Sequence, residues 1–245
     1  MLRVGKFGLV NNFLPYYFLR GYRVISASPK EMASMLLEGK IDYAPVPAYF
    51  YLKNSERLRH YTFCVASDGE VLSVIVVSRN GRIGDKIAVT SETMTSVNLL
   101  KILLAEKGLN VRLIPSEHSR ADDLLRLADS ALVIGDEAIK ARMIYRVAMD
   151  LGEEWKDLTG YPMVFGISAS LKDVNAEKVD RDLINSVRLG MERIGEVVKK
   201  ASEEFKLPEE FLEKYFKVLV YELGSREMKG LRAFAEMCGL VKTKN

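Results

Sequence analysis

The sequence has few of the side chains from which metal sites and disulfide frameworks are built. It contains two histidines, His60 and His118, and two cysteines, Cys64 and Cys238. These four residues show none of the spacings that zinc sites use, and the cysteines form no CxxC pair. We therefore expect no metal site and two histidines in surface or turn positions. The cysteines are read as small buried apolar side chains in preference to a disulfide.

Long apolar runs and an excess of one charge sign are also missing. No window offers the roughly 18 uncharged apolar residues of a membrane-spanning helix, and the N-terminal stretch lacks the pattern of a secretory signal. Lys and Arg number 36 against 33 Asp and Glu, a balance too even for a nucleic-acid binder. We expect a cytoplasmic protein that binds neither membrane nor nucleic acid, with room for a local site that attracts a small anion.

Glutamine is absent altogether, while Lys, Glu and Arg are abundant. Loss of thermolabile amides together with enrichment of charge is a tendency of thermophile proteins. The composition therefore indicates a thermophilic source and carries no information on function.

The short motifs of several large enzyme classes are missing as well. The sequence contains no GxGxxG, P-loop, GxSxG or HExxH. Their absence argues against dinucleotide, nucleotide-triphosphate, standard hydrolase and metalloprotease chemistry.

What is present is the alternation of strand and helix patterns that is typical of an α/β protein. From residue 86 apolar runs alternate with amphipathic segments, which implies a parallel sheet with covered faces. Residues 174–240 read as nearly all helical, with KVLVYEL as the end of a helix. We predict two lobes, one of residues 1–82 with 168–245 and one of residues 83–167. Ligands of such proteins bind in the cleft between lobes, at the carboxyl ends of strands.

One helix carries complete start and stop signals. In SPKEMASMLLEGKID, Ser28 is placed as the N-cap, Pro29 as the first helical residue and Glu31 as the partner of a capping box. Gly39 marks the helix end.

Five hydroxyls crowd one predicted strand-to-helix turn, in KIAVTSETMTSVNLLKILLAEKG. A helix start presents free N–H groups and the positive end of the helix dipole, so it binds anions, and hydroxyls add donors that orient a carboxylate. Helix capping accounts for one or two of the five, by Ser91 or Thr93. The five residues are Thr90, Ser91, Thr93, Thr95 and Ser96.

A second strand-to-helix turn follows in SALVIGDEAI. Gly135 permits a tight turn or a close backbone approach. Asp136 suits an N-cap and Glu137 a first turn, so capping is favoured here over catalysis.

Four more residues lie where a cleft would open. Asn11 and Asn12 follow the first strand, and an Asn amide both donates and accepts, although turn formation is the simpler interpretation. In SDGEVLSVIVVS, Gly69 is expected in a hairpin turn. Ser73 interrupts an apolar strand and is either a cleft hydroxyl or a satisfied core hydroxyl, with the core slightly favoured.

Several blocks of the sequence occur in the order and spacing of one family. They are SDGEVLSVIVVS, TSETMTSVNLLKILL, ALVIGDEAI, DLGEEWKDLTGYPMVFGI and YFKVLVYELGSREMKGLRAF. Over nearly its whole length the chain resembles the menaquinone-biosynthesis family of the futalosine route. Within that family it resembles the chorismate dehydratase branch more than the 1,4-dihydroxy-6-naphthoate synthase branch.

The resemblance implies a type II periplasmic-binding-protein fold and a cytoplasmic enzyme without metal or organic cofactor. The implied reaction removes water from chorismate to give 3-(1-carboxyvinyloxy)benzoate. The alternatives are the sister reaction of the same pathway, or a cytoplasmic protein that binds a small anion without catalysis. The oligomeric state is left open between monomer and homodimer.

The resemblance also implies roles for individual residues. Asn11 and Ser73 would be catalytic, and Thr95 and Ser96 near the helix start would receive a substrate carboxylate. The remaining substrate-binding candidates are Asn12, Gly69, Ser91, Thr93, Gly135 and Asp136. The base is either a carboxylate of the protein or one of the substrate.

This sequence departs from the family at two blocks. The usual SYLNTLP reads GLVNNFLP, so the family Asn is Asn11 by direct count or Asn12 when Pro15 is the anchor. VFGIS stands where the family often has VFAxW.

Overall fold

The computed structural model describes residues 2–90 and 94–240, which form an α/β structure. The strands are β1 (Arg3–Phe7), β2 (Arg23–Ala27), β3 (Ala44–Pro47), β4 (Leu58–Ser67), β5 (Val74–Ser78), β6 (Lys86–Thr90), β7 (Arg112–Ser116), β8 (Ser130–Ile134), β9 (Arg146–Asp150), β10 (Met163–Leu171) and β11 (Leu219–Glu222). The helices are α1 (Phe13–Tyr17), α2 (Pro29–Leu37), α3 (Ala48–Lys53), α4 (Met94–Glu106), α5 (Ala121–Leu127), α6 (Gly135–Ile144), α7 (Leu151–Thr159), α8 (Glu177–Glu192), α9 (Ile194–Phe205), α10 (Glu209–Val218) and α11 (Ser225–Met237). None of the helices in the described ranges is long and apolar enough to cross a membrane.

The described chain divides into two compact units. The first comprises residues 2–66 and Val164–Met228, and the second comprises Ser67–Met163 and residues 229–240. The lobes expected from the sequence have other bounds: residues 67–82 and 229–240 belong to the second unit here, and residues 164–167 belong to the first.

The first unit is built on two small sheets. β1 and β2 pair in parallel, and the other sheet has the order β11-β4-β10-β3. A parallel bridge between Val4 and Tyr43 connects β1 to the segment before β3. The start and end predicted for helix α2 are confirmed. Ser28 and Glu31 form both hydrogen bonds of a capping box, and Gly39, after the helix, adopts a left-handed φ of 66°.

A buried carboxylate braces the first unit. Asp180 on α8 is 4% exposed and accepts hydrogen bonds from the Tyr43 hydroxyl at 2.6 Å and from Ser168 Oγ at 3.3 Å. The backbone N–H groups of Thr62 and Phe63 donate to it at 2.9 and 3.0 Å. All four donors satisfy a charge that would otherwise be costly to bury.

The last third of the chain is less uniformly helical than its sequence suggested. The long predicted helix breaks at Arg193 into α8 and α9. Helix α10 ends at Val218, inside KVLVYEL, and the helix does not continue to the end of this segment. Leu219–Glu222 form β11, an edge strand beside β4. Its β-branched and aromatic residues suit a half-buried strand, with Leu219 and Tyr221 facing inward.

The second unit contains a five-stranded sheet in the order β7-β6-β8-β5-β9. β6 pairs in parallel with β7 and β8, whereas β5 runs antiparallel to both β8 and β9. The sheet is therefore mixed and not the parallel one that the sequence implied. Because β9 points the same way as β6, β7 and β8, the helices α4, α5, α6 and α7 all begin at one edge of this sheet. We call it the carboxyl edge.

Candidate functional site

Buried hydroxyls gather at the carboxyl edge of the second unit. Thr90 ends β6, and Thr95 and Ser96 lie in the first turn of α4. Each of the three is at most 4% exposed. Ser91 and Thr93, the other two hydroxyls of this turn, lie outside the described residues.

Ser73 reaches the same edge just before β5, because β5 starts where its antiparallel neighbours, β8 and β9, end. It is 3% exposed, and its carbonyl accepts the Gly135 N–H at 2.7 Å. Gly135 has a left-handed φ of 58°, which suits a glycine at this turn. The structure thus brings Ser73 and Gly135, two predicted site residues, into direct contact.

The start of α6 has no side-chain cap. Its N-cap residue is Ile134, whose side chain cannot accept a hydrogen bond, so the expectation of Asp136 as the N-cap is wrong. Asp136 is the second residue of the helix and Glu137 the third. Glu137 Oε1 accepts the Ala121 N–H at 2.9 Å, so this carboxylate is committed to the start of α5.

The start of α7, at the same edge, is closed by a carboxylate of the protein itself. Asp150 is 7% exposed and accepts from the N–H groups of Gly152 and Glu153 at 3.0 and 3.3 Å. The N–H groups of Val71 and Leu72 also donate to it, at 3.0 and 2.9 Å. Burial raises the pKa of the Asp150 carboxyl, although the four N–H donors act in the opposite direction.

Gly69 lies in the loop that connects β4 to β5. These two strands belong to different sheets, so the hairpin expected around Gly69 is not formed. Its carbonyl accepts from Ser67 Oγ at 3.0 Å, and its φ is 132°. The same carbonyl lies against Gly152, where an added Cβ would come within 2.5 Å of it.

The two asparagines belong to the first unit, just after β1. Asn12 is fully buried, and its Oδ1 accepts the Phe7 N–H at 3.0 Å. Asn12 Nδ2 donates to Asn11 Oδ1 at 3.0 Å. Asn12 therefore shapes the turn, while Asn11 is half-buried and uses only its oxygen in the hydrogen bonds found among the described residues. This arrangement favours Asn11 as the residue available to a ligand.

The histidines and cysteines, which carry metal-binding or redox chemistry, are spread over β4, the segment after β7 and the residue after α11. His60 and His118 are exposed, as their sequence contexts indicated. Cys64 is buried and Cys238 half-buried, and neither forms a disulfide. Among the described residues, no group of three or more His, Cys, Asp and Glu is arranged to hold a metal ion.

Sequence reasoning missed two residues of the carboxyl edge, Asp150 and Leu72. Asp150 stands directly before a helix, which is a helix-start signal that could have been read. Leu72 has a left-handed φ of 64°, and nothing in a leucine indicates that conformation.

Nearly the whole described chain matches a known family. The sequence profile described as Menaquinone biosynthesis matches residues 2–239. The chain belongs to the menaquinone biosynthesis family. A family relative, the protein of Thermus thermophilus named chorismate dehydratase, is 33% identical over 92% of this chain and 90% of its own length.

Solved structures similar to this family member share its fold. Protein AF1704 of Archaeoglobus fulgidus has a TM-score of 0.76 at 17% identity, with 98% of each chain covered. The alkanesulfonate-binding protein SsuA of Xanthomonas axonopodis has a TM-score of 0.72 at 16% identity, covering 99% of this chain and 94% of its own. The periplasmic aliphatic sulphonate binding protein of Escherichia coli has a TM-score of 0.69 at 15% identity, covering 98% and 85%. The chain therefore has the periplasmic-binding-protein fold, as expected.

Proposed function

We propose that this protein removes water from chorismate to give 3-(1-carboxyvinyloxy)benzoate. The observation that carries the proposal is the 33% identity with the Thermus thermophilus chorismate dehydratase over 92% of the chain. The match extends across both compact units, so it is not confined to a shared subdomain.

The carboxyl edge of the second unit supports an anionic substrate. Chorismate carries two carboxylates, and the starts of α4 and α6 offer N–H groups at the positive ends of helix dipoles. The hydroxyls of Ser73, Thr95 and Ser96 lie at this edge and can donate to a carboxylate. Ile134, the N-cap residue of α6, has no side-chain acceptor for the N–H groups of this helix start.

The reaction asks little of the protein beyond orientation and electrostatics. A ring carbon loses a proton, the neighbouring carbon loses its hydroxyl, and the electron pair of the broken C–H bond completes the aromatic ring. The proton and the hydroxyl leave together as water. Fixed donors stabilise the charge that develops on the way. We assign that role to Ser73, with Asn11 as a second candidate for a separate test.

The base is either a carboxylate of the protein or one of the substrate. Asp150 is a poor protein candidate, because four N–H groups already occupy its oxygens. Asp136 is half-buried in the first turn of α6 and is the protein carboxylate to test at this edge. An Asp136→Asn enzyme that keeps its kcat would assign the proton transfer elsewhere and favour the substrate.

The test is incubation of the purified protein with chorismate, without added metal or nucleotide, followed by mass spectrometry. We expect a product lighter by one water that forms faster than in a no-protein control. If chorismate is neither bound nor converted, the sister reaction of the pathway becomes the favoured function. Chorismate that is bound and released unchanged would indicate a binding protein. The cytoplasmic location and the choice between monomer and homodimer stay predictions.

A further inference from the structure

We propose that Arg142 and Asp150 are positioning residues that hold Leu72 in a left-handed conformation and thereby fix Ser73 for the reaction. The inference rests on the proposed function in so far as Ser73 is catalytic. It concerns the short segment of residues 71–73, which we call the Ser73 arm.

Leu72 is held from both sides of its backbone. Its N–H donates to Asp150 Oδ2 at 2.9 Å, and its carbonyl accepts from Arg142 Nη1 at 3.0 Å. The Leu72 side chain is 1% exposed, so the residue cannot turn without leaving the core. The two hydrogen bonds hold the peptide groups before and after Leu72, and burial holds its side chain. We call Asp150 and Arg142, with these bonds, the clamp.

The clamp matters because the conformation that it holds is unfavourable. A φ of 64° at a residue with a Cβ is strained, and such strain persists only where the surroundings impose it. In the part of the chain that the structure describes, the other positive φ at a non-glycine residue is at Lys206, a helix C-cap. Leu72 does not end a helix, so its left-handed conformation has no such local explanation. We infer that this conformation serves to place the next residue.

The next residue is Ser73, whose carbonyl is fixed in turn by the Gly135 N–H at 2.7 Å. The arm is therefore secured at the N–H groups of residues 71 and 72, at the Leu72 carbonyl and at the Ser73 carbonyl. A hydroxyl displaced by about 1 Å can cost roughly a hundredfold in rate. The clamp supplies the rigidity that such a hydroxyl requires.

The two clamp residues act from different elements. Asp150 is the N-cap of α7 and also accepts from Val71. Arg142 lies on the third turn of α6 and is half-buried. Both side chains bind backbone groups of the Ser73 arm. Removing either side chain is therefore expected to change the geometry of Ser73 more than the affinity for substrate.

The first experiment compares Arg142→Met with Arg142→Lys, which can still donate one hydrogen bond. We expect Arg142→Met to lower kcat by about tenfold to a hundredfold with KM changed less than about threefold. Arg142→Lys should recover part of the loss. Lys140→Met is the matched control, because it removes a positive charge from an exposed position of the same helix. A rise in KM at unchanged kcat would overturn the proposal, since Arg142 would then bind substrate directly.

The second experiment measures amide hydrogen exchange, which does not depend on turnover. We expect Asp150→Asn and Arg142→Met to raise exchange in residues 71–73 by tenfold or more, while Lys140→Met leaves it unchanged. Asp180→Asn is the control for a buried carboxylate, since it should lower stability without loosening the arm. Unchanged exchange in both clamp variants would overturn the clamp, and faster exchange with full kcat would overturn its role in catalysis. Failure of the unmodified protein to turn over chorismate contradicts the proposed function, and the exchange result still decides whether the clamp exists.

Discussion

Two helices of the second unit, α6 and α7, begin at the carboxyl edge, yet their first turns are completed differently. At α7 the Asp150 carboxylate accepts from Gly152 and Glu153 and from two N–H groups of the preceding loop. At α6 the N-cap is Ile134, whose side chain offers no acceptor. Helix starts need acceptors for their free N–H groups, so a start closed by the protein's own anion is structural. A start without one can receive the anion of a ligand.

The comparison also separates the roles of neighbouring polar residues. Asp150 accepts from four backbone N–H groups and joins α7 to the Ser73 arm, which makes it part of the scaffold. Ser73 and Gly135 meet beside the start of α6. The reacting groups are therefore expected beside the start of α6, and Asp150 supports them from the start of α7.

The largest expected effect is that of Ser73→Ala. Loss of one fixed donor typically lowers turnover by about a hundredfold to a thousandfold, and we expect kcat/KM for chorismate to fall into that range. Ser78→Ala is the control, since Ser78 is buried at the opposite end of β5 and accepts from the Gly81 N–H at 2.9 Å. It should cost about 1 kcal/mol of stability and leave turnover intact. Full activity in Ser73→Ala would move the reaction away from α6.

The next effect concerns the packing of the α7 start. A Cβ added at Gly152 would lie 2.5 Å from the Gly69 carbonyl and 2.5 Å from Ser67 Oγ. We expect Gly152→Ala to lower the free energy of unfolding by about 1–3 kcal/mol, measured by urea denaturation. Gly195→Ala on α9 is the control, because nothing lies within 4 Å of its added Cβ and its φ is negative. A Gly152→Ala protein as stable as the parent would show that the α7 start is not tightly packed.

A third variant would make α6 resemble α7. Ile134 has φ −132° and ψ 161°, the extended conformation that N-cap residues adopt. An aspartate there can accept from the first N–H groups of α6 and repel a dianion. We expect Ile134→Asp to raise KM for chorismate by about tenfold, equal to about 1.4 kcal/mol. The uncharged cap Ile134→Asn separates capping from repulsion, and an unchanged KM in both variants would exclude the α6 start as the anion site.

The sequence predicted those features whose causes are local. Ser28, Pro29 and Glu31 lie within four positions of one another, and their capping box formed as expected. The strand-to-helix turn after β8 was also placed correctly, because turn residues and apolar periodicity mark it.

Features set by distant partners were not predictable in the same way. β5 follows β4 closely in sequence but pairs with β8 and β9 in the other unit. Leu219–Glu222 form a strand because they pair with the edge of β4. The helical pattern of the residues before them gives no sign of this strand in the sequence. Asp150 contacts N–H groups 78 and 79 positions earlier in the chain. No local sequence pattern indicates contacts over such distances in the chain, so the clamp around Leu72 could not be predicted from the sequence.

The smallest expected effect is a difference in pH dependence between two carboxylates. Burial raises the pKa of Asp150 above 3.8, its ordinary value. Between pH 3.8 and the folded pKa, the folded state therefore holds a proton that the unfolded state has released. Its contribution to stability is therefore complete below about pH 3.8 and is lost as pH rises through the folded pKa. The hydrogen bond from Arg3 lowers the pKa of Asp42, whose contribution is present above its unfolded value and lost on acidification.

Urea denaturation between about pH 4 and 7 separates the two carboxylates. We expect the stability difference between the parent and Asp150→Asn to shrink as pH rises from the acid end and then to stay constant. The difference for Asp42→Asn should stay nearly flat over the same range, because its titration lies at more acidic pH. A flat difference for Asp150→Asn would mean that its four N–H donors outweigh burial. Asp150 would then be a fully stabilised anion, and the contrast between the two helix starts would be sharper still.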